Sequence, residues 1–316
     1  MFEHIIKSIE KYDSIVIFGH AHPDGDCYGS QIGLRDSLRL AYPNKNIYAI
    51  GDGLPQFFSL IGKMDEVDDE IVSNSLAVIL DGNDLNRMSD KRIHNCLAFC
   101  KIDHHVDTGS FIEGPQVVDV NANSTCDMIT AMIIEQHLPI NKNIANALYL
   151  GIITDSGRFQ YVSNYISTYE RVAFLCKSGA TPKPINDILN VTSEKIINLK
   201  KFVYNNYKKT NNVLYVVFKK DELQSLGVDA NKASSVVNLL ANVEGYPVWA
   251  SFAEYDDGSV RIEFRSNGPA VQPLALSLGG GGHMYAAGLS LPKLDPERIN
   301  DIVNLLDEVA TKWKEK

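Results

Sequence analysis

Paired cysteines are missing from this 316-residue chain. Its five Cys (Cys27, Cys96, Cys100, Cys126, Cys176) form no Cys-x-x-Cys pair and are odd in number. That argues against a disulfide framework and a cysteine-rich zinc site, and leads us to expect a reducing compartment. Long apolar runs are also missing. No stretch approaches the ~20 apolar residues of a membrane span, and residues 1–18 lack a basic start followed by an apolar stretch, so a soluble, cytoplasmic protein is expected. No period of roughly 20–50 residues recurs and no low-complexity tract is present, which excludes a solenoid or a disordered arm. Basic charge is in deficit: 30 Lys and Arg face 39 Asp and Glu, for a net −9. Such a balance disfavours coating of long nucleic acids but leaves room for a short anion neutralised by metals or a few local cations.

What is present is enough for two ordinary domains, with 45% hydrophobic residues. Helical spacing in Phe2–Lys11, an apolar run Ile15–Phe18 and helical spacing from Tyr28 to Ala41 open an α/β alternation. Leu76–Leu80 and Leu97–Ile102 repeat the apolar run, which suggests buried strands of a parallel sheet. From Thr125 to about Leu189 the pattern is mostly helical: Cys126–His137, Asn143–Ile153, Ile166–Ser178 and Pro184–Leu189. Residues 192–212 are charged and Asn-rich and read as a connecting helix ending in a polar turn. Beyond them, Val213–Phe218, Val248–Glu254 and Ser259–Phe264 alternate like strands, whereas Ala230–Val243 and Pro296–Lys314 read as helices. The expected fold is a parallel-sheet α/β domain with helices on both faces (1–191), a linker (192–212) and a smaller α+β domain (213–316).

Four segments place ionisable side chains at the ends of apolar elements. In "GHAHPDGDCYGS", His20, Asp24 and Asp26 follow the first strand, and Pro23 keeps His22 extended. Asp26 also reads as a helix cap, and His22 as a plain loop residue. In "LAVILDGND", Asp81 follows a strand, although Asp-Gly is equally a common turn. "CKIDHHVD" sets Asp103, His104 and His105 side by side, a costly arrangement unless they bind something. "LGIITDSGRFQY" ends an apolar helix in Asp155, with Arg158 three further on. Ligands of open α/β sheets gather at the carboxyl ends of strands. His20, Asp24, Asp26, Asp81, His104 and Asp155 together offer four carboxylates and two imidazoles, a set that suits two ions with a bridging carboxylate and favours manganese over structural zinc.

At these residues the sequence resembles the DHH phosphoesterase superfamily, whose motif stands here as Asp103-His104-His105. Its first motif matches His20, Pro23, Asp24, Asp26, Gly29 and Ser30, its second-motif Asp matches Asp81, and its fourth-motif Asp matches Asp155. The C-terminal "RSNG" and "GGGGHMYAAG" resemble the DHHA1 substrate domain, and the whole is similar to the NrnA group. The resemblance implies hydrolysis of very short oligonucleotides and of 3′-phosphoadenosine 5′-phosphate, with two Mn²⁺ or other divalent ions such as Mg²⁺. His20, Asp24 and Asp81 would hold one ion, and Asp26, Asp81, His104 and Asp155 the other. Asp103 would orient an imidazole, His105 would face the scissile phosphate, and Arg158 joins them as a catalytic candidate. Relatives commonly carry Glu where Asp127 stands, one methylene shorter.

Gly280, Gly281 and Gly282 with His283, followed by an expected helix start, offer unobstructed N–H groups for a phosphate or carboxylate. Arg265 and Ser266 complete the substrate-binding candidates, with domain closure across the linker expected. Phe159, Tyr161 and Tyr285 are candidate stacking surfaces; Trp249 and Trp313 are assigned to the core. The expected partner is a short oligonucleotide or nucleotide, with neither long nucleic acid nor membrane, and a homodimer is compatible. Rival readings are a linear or cyclic dinucleotide phosphodiesterase, which would use the same ligands, and a non-catalytic nucleotide sensor.

Overall fold

The structure, a computed structural model, describes residues 1–82, 84–106 and 113–315, apart from the Ser235 side chain. The chain divides into two compact units, Met1–Val191 and Thr192–Lys316. The first runs α1 (Glu3–Lys11), β1 (Ser14–Phe18), α2 (Gly25–Ala41), β2 (Asn46–Ile50), α3 (Phe58–Ile61), α4 (Asp69–Ser73), β3 (Leu76–Leu80), β4 (Ala98–Asp103), β5 (Gln116–Val118), α5 (Thr125–Glu135), α6 (Lys142–Asp155), α7 (Tyr165–Lys177) and α8 (Pro182–Leu189). Its strands lie in the order β2-β1-β3-β4-β5, all parallel.

Strand side chains alternate between two cores. Ile15, Ile17, Val78 and Leu80 enter the larger cluster with α1, α2, α5 and α6, whereas Val16, Phe18, Ala77 and Ile79 enter a smaller one with Val72 and Ile93. Both faces are covered, and so these strands read as unbroken apolar runs. Winding reverses between β1 and β3, where such sheets form a crevice beyond their carboxyl ends. The short edge strands β2 and β5 carry little apolar alternation and escape a pattern-based reading.

The second unit runs α9 (Glu194–Asn206), β6 (Lys208–Lys209), β7 (Val213–Phe218), α10 (Lys220–Leu226), α11 (Ala230–Ser235), β8 (Val248–Glu254), β9 (Val260–Ser266), α12 (Gln272–Ser277), β10 (Gly281–His283), β11 (Ala286–Leu291) and α13 (Pro296–Lys314). Its mixed sheet has the order β10-β11-β9-β8-β7-β6, with only β7 and β8 parallel. Residues 192–212 do not stand apart as a linker. Leu199 and Val203 of α9 are fully buried in one core with Leu214, Val216 and Phe218, which makes this helix a cover for the sheet. The helix expected over 230–243 is interrupted: α11 stops at Ser235 and a 3₁₀ turn spans Val237–Leu240. Trp249 is buried and donates to Asn238 Oδ1 at 3.1 Å, but Trp313 is 42% exposed and lies outside the core.

Candidate active site

Helix α2 approaches α6 along glycines spaced four apart. A Cβ on Gly25 would lie 2.3 Å from Thr154 Oγ1, one on Gly29 2.3 Å from the Ala147 carbonyl oxygen, and one on Gly33 2.7 Å from Leu148. Close helix approach of this kind brings Asp26, on the first turn of α2, toward Asp155 at the end of α6. Asp24, not Asp26, caps α2, its Oδ1 accepting from the Asp26 and Cys27 N–H groups at 2.9 and 3.0 Å. Freed from capping its own helix, Asp26 accepts from the first N–H groups of α5: Thr125 N to Oδ2 at 2.7 Å and Cys126 N to Oδ1 at 2.8 Å. These donors are orphans of a helix N-terminus, where negative charge is favoured.

The switch-point crevice then receives Asp81, just past β3. Its φ is +55, a left-handed conformation that Asp tolerates at modest strain. The carboxylate is 2% exposed, so it is no solvated turn residue. Around it lie His20 Nε2 at 3.5 Å, His104 Nε2 at 3.6 Å and His105 Nδ1 at 3.5 Å, and Thr125 Oγ1 donates to it at 3.2 Å. His104 Nε2 also lies 3.4 Å from Asp155 Oδ2 and 3.9 Å from Asp26 Oδ2. Asp103 is fully buried and holds His105, accepting from its Nδ1 at 2.9 Å and from its backbone N–H at 3.2 Å.

Three groups of donor atoms, each within 4.8 Å of one another, result: His20, Cys27 and Asp81; Asp81, His104 and His105; Asp26, His104 and Asp155. Asp81 and His104 each belong to two groups. Asp24 lies outside all three. Cys27 and Thr125 were missed in the sequence reading; Thr125 stands at the start of a Ser-Thr-x-Asp helix opening that signals a cap but not a role beside a carboxylate.

The electrostatics call for added positive charge. Burial, reinforced by Asp81 and Asp155, pushes the Asp26 carboxyl well above its ordinary range, and burial lifts Asp155 to about 6 against the pull of His104. Burial would also raise Asp81, but His20, His105 and His104 outweigh it and hold it down. Its hydrogen bond to Asp81 raises His20 to about 9, and the hydrogen bond to Asp103 raises His105. Among the described residues, the ion-pair partners of these three carboxylates are all imidazoles. Oxygen-rich donors with imidazoles, crowded to the point of mutual destabilisation, fit divalent cations.

Asp127 takes no part in the cluster. It is 1% exposed and pairs with Arg171 of α7, so its shorter reach joins two helices. Arg158 is exposed at φ +60, within a left-handed turn formed by Gly157, Arg158 and Phe159, and its side chain has no hydrogen-bond or ion-pair partner among the described residues. Phe159 packs against Tyr169 with ring centroids 5.5 Å apart, whereas Tyr161 and Tyr285 are exposed.

In the second unit the glycine run opens no helix. Gly279, at φ +81, ends α12, and β10 pairs with β11 through a tight hairpin at Met284-Tyr285. Gly280 abuts the Gly288 carbonyl and Gly282 packs on Ala286 and Ala287, which leaves Gly281 in open space. The left-handed turn at Gly279 and packing at Gly280 and Gly282 thus account for most of the run. Register sets His283 opposite Ala286 and Ala286 opposite Arg265, so His283 and Arg265 share one sheet face, about 10 Å apart by strand spacing. Arg265 Nη1 already donates to Glu263 Oε2 at 3.0 Å, and Ser266 Oγ donates to the Pro269 carbonyl at 2.5 Å. No helix among the described residues is long and apolar enough to cross a membrane.

Residues 14–152 match the N-terminal domain of the DHH family, and residues 210–312 match the DHHA1 domain. The bifunctional oligoribonuclease and PAP phosphatase NrnA of Bacillus subtilis is 34% identical over 92% of this chain and 93% of its own. The cyclic-di-AMP phosphodiesterase GdpP of the same organism is 26% identical over 98% of this chain, which covers 50% of that protein. A crystal structure of an exopolyphosphatase-related protein from Bacteroides fragilis superposes with a TM-score of 0.82 at 24% identity, covering 99% of this chain and 96% of that one.

Proposed function

Because the chain belongs to the DHH family and is thereby a phosphoesterase, we propose that it hydrolyses very short oligonucleotides and removes the 3′-phosphate of 3′-phosphoadenosine 5′-phosphate, using two divalent cations, manganese foremost. The observation that carries this reading is the position of Asp81, a buried carboxylate common to the His20 group and the His104–His105 group. One ion is assigned to His20 and Asp81, with Asp24 added on the family resemblance alone because its Oδ1 caps α2 and no donor group includes it, and the other to Asp26, Asp81, His104 and Asp155. Bound there, the cations would neutralise phosphate oxygens and supply a water acidic enough to attack phosphorus near neutral pH.

The chain's own groups prepare that site. His20 donates its Nδ1–H to the Ala21 carbonyl at 2.9 Å, which fixes the tautomer and leaves Nε2 as the donor atom facing Asp81. Asp103 fixes His105 in the same manner through Nδ1, so Nε2 is left for a phosphate oxygen of the substrate. Two backbone N–H groups lock Asp26. Arg158, unpaired among the described residues, is assigned to substrate phosphate. Arg265, Ser266, His283 and the backbone at Gly280, Gly281 and Gly282 are assigned to a second anionic end of the substrate.

A cyclic dinucleotide phosphodiesterase is the second reading, supported by the likeness to GdpP over nearly this whole chain. A binding-only sensor accounts less well for a shared carboxylate ringed by imidazoles. Purified protein with Mn²⁺ is offered a dinucleotide, a pentanucleotide, a cyclic dinucleotide and 3′-phosphoadenosine 5′-phosphate side by side. Fastest turnover of the cyclic compound overturns the ranking, and binding without turnover of any of them supports the sensor.

A further inference from the structure

Cys27 has no cysteine neighbour in sequence, yet it is the only sulfur in any of the donor groups found among the described residues. Its thiol is fully buried one helical turn from the Asp24 cap, with a donor atom within 4.8 Å of those of His20 and Asp81. Gln31 helps to hold it there. The Gln31 amide donates to the Ile17 and Ile50 carbonyls, both at 3.1 Å, which fixes its Oε1 at 3.6 Å from Cys27 Sγ. The thiol therefore rests on a rigid acceptor with its sulfur beside an imidazole and a carboxylate already assigned to an ion.

We propose that Cys27 is a switchable ligand: thiophilic divalent cations such as Zn²⁺, Cd²⁺ and Co²⁺ recruit its sulfur at the His20–Asp81 position, whereas Mn²⁺ and Mg²⁺ bind there without it. Thiolate selects soft and borderline ions, and carboxylate and water suit hard ones. In the step, the S–H bond breaks, the proton passes to solvent and a metal–sulfur bond forms, with no change of oxidation state. The inference rests on the reading of His20 and Asp81 as metal ligands, and its test separates the two.

Chelator-treated protein is titrated with Co²⁺ and its absorption spectrum recorded. The expected result is ligand-field bands together with a near-ultraviolet sulfur-to-cobalt charge-transfer band. Cys27→Ser keeps the former and loses the latter, while Cys126→Ser, which alters the buried thiol beside Asp26, keeps both. Calorimetry should show Cd²⁺ affinity falling on the order of 10–100-fold in Cys27→Ser with Mn²⁺ affinity nearly unchanged. Ligand-field bands without charge transfer in the unaltered protein overturn the thiol ligand and leave the metal centre standing. No cobalt spectrum at all overturns both. If Cys27→Ser misfolds by circular dichroism, protection of Cys27 from alkylation by bound Cd²⁺ but not Mn²⁺, read by mass spectrometry in unaltered protein, decides instead.

Discussion

Replacing Asp81 with Asn keeps the side-chain volume and removes the charge on which His20, His104 and His105 converge. In metal-free protein His20 is held at about 9, chiefly by its hydrogen bond to Asp81, while burial works in the opposite direction. Without the carboxylate the remaining burial should return His20 to about 6.5 or below, a ~300-fold drop in proton affinity. The assay is an NMR titration of the histidine ring protons in chelated protein, with His20 assigned by its own substitution. A histidine raised in the folded state stabilises fully below its unfolded value and loses that contribution as pH rises through the folded one. Metal-free protein should therefore soften between pH ~6.5 and about 9, and Asp81→Asn should not. Ion loading at neutral pH should likewise release a proton from His20 in the unaltered protein. A His20 that titrates near 6.5 in unaltered protein, or stays near 9 in the variant, would refute the geometry on which the bridging role depends.

Arg171→Leu strands the buried Asp127 carboxylate and should cost ~3–5 kcal/mol in denaturant unfolding, most of it recovered in the double variant with Asp127→Asn. A loss below ~1 kcal/mol would mean that the pair is not formed. Gly29→Ala drives a methyl into the Ala147 carbonyl and should cost ~1–3 kcal/mol while weakening Mn²⁺ binding, because Asp26 and Asp155 are pushed apart. Unchanged affinity would dissociate the helix contact from the site. Thr125→Val removes the hydroxyl donated to Asp81 and should weaken Mn²⁺ binding on the order of 10-fold, with Thr125→Ser restoring it. Equal weakening by both substitutions would assign the loss to packing and not to the hydroxyl.

The central strands were legible because they are covered on both faces: Leu76–Leu80 is bounded as its apolar run indicates, and Val213–Phe218 as its strand-like alternation does. Edge strands β2, β5 and β10 were not, since a strand paired on one side needs less apolar surface. His20, Asp26, Asp81, His104 and Asp155 were legible as a group because their segments each lie at the end of an apolar element, and the structure brings all five together. What sequence could not assign was which carboxylate does which task. Asp24 and Asp26 are two apart and chemically alike, yet one caps its own helix and the other receives a different helix from a hundred residues away. The helix start expected after the glycine run is absent, because these glycines serve a helix stop, a close strand contact and a hairpin.

Asp26 and the N-terminus of α5 meet across a sequence separation of 100 residues, and Asp155 arrives later still. No growing chain shorter than this possesses the completed pocket, so a cation bound there would report that the first unit has closed. Each tenfold excess of free ion over its dissociation constant then adds ~1.4 kcal/mol to the finished state alone. An ion held there would be a latch on a door that must already be shut, and starving the protein of it should expose the first unit to proteases before the second.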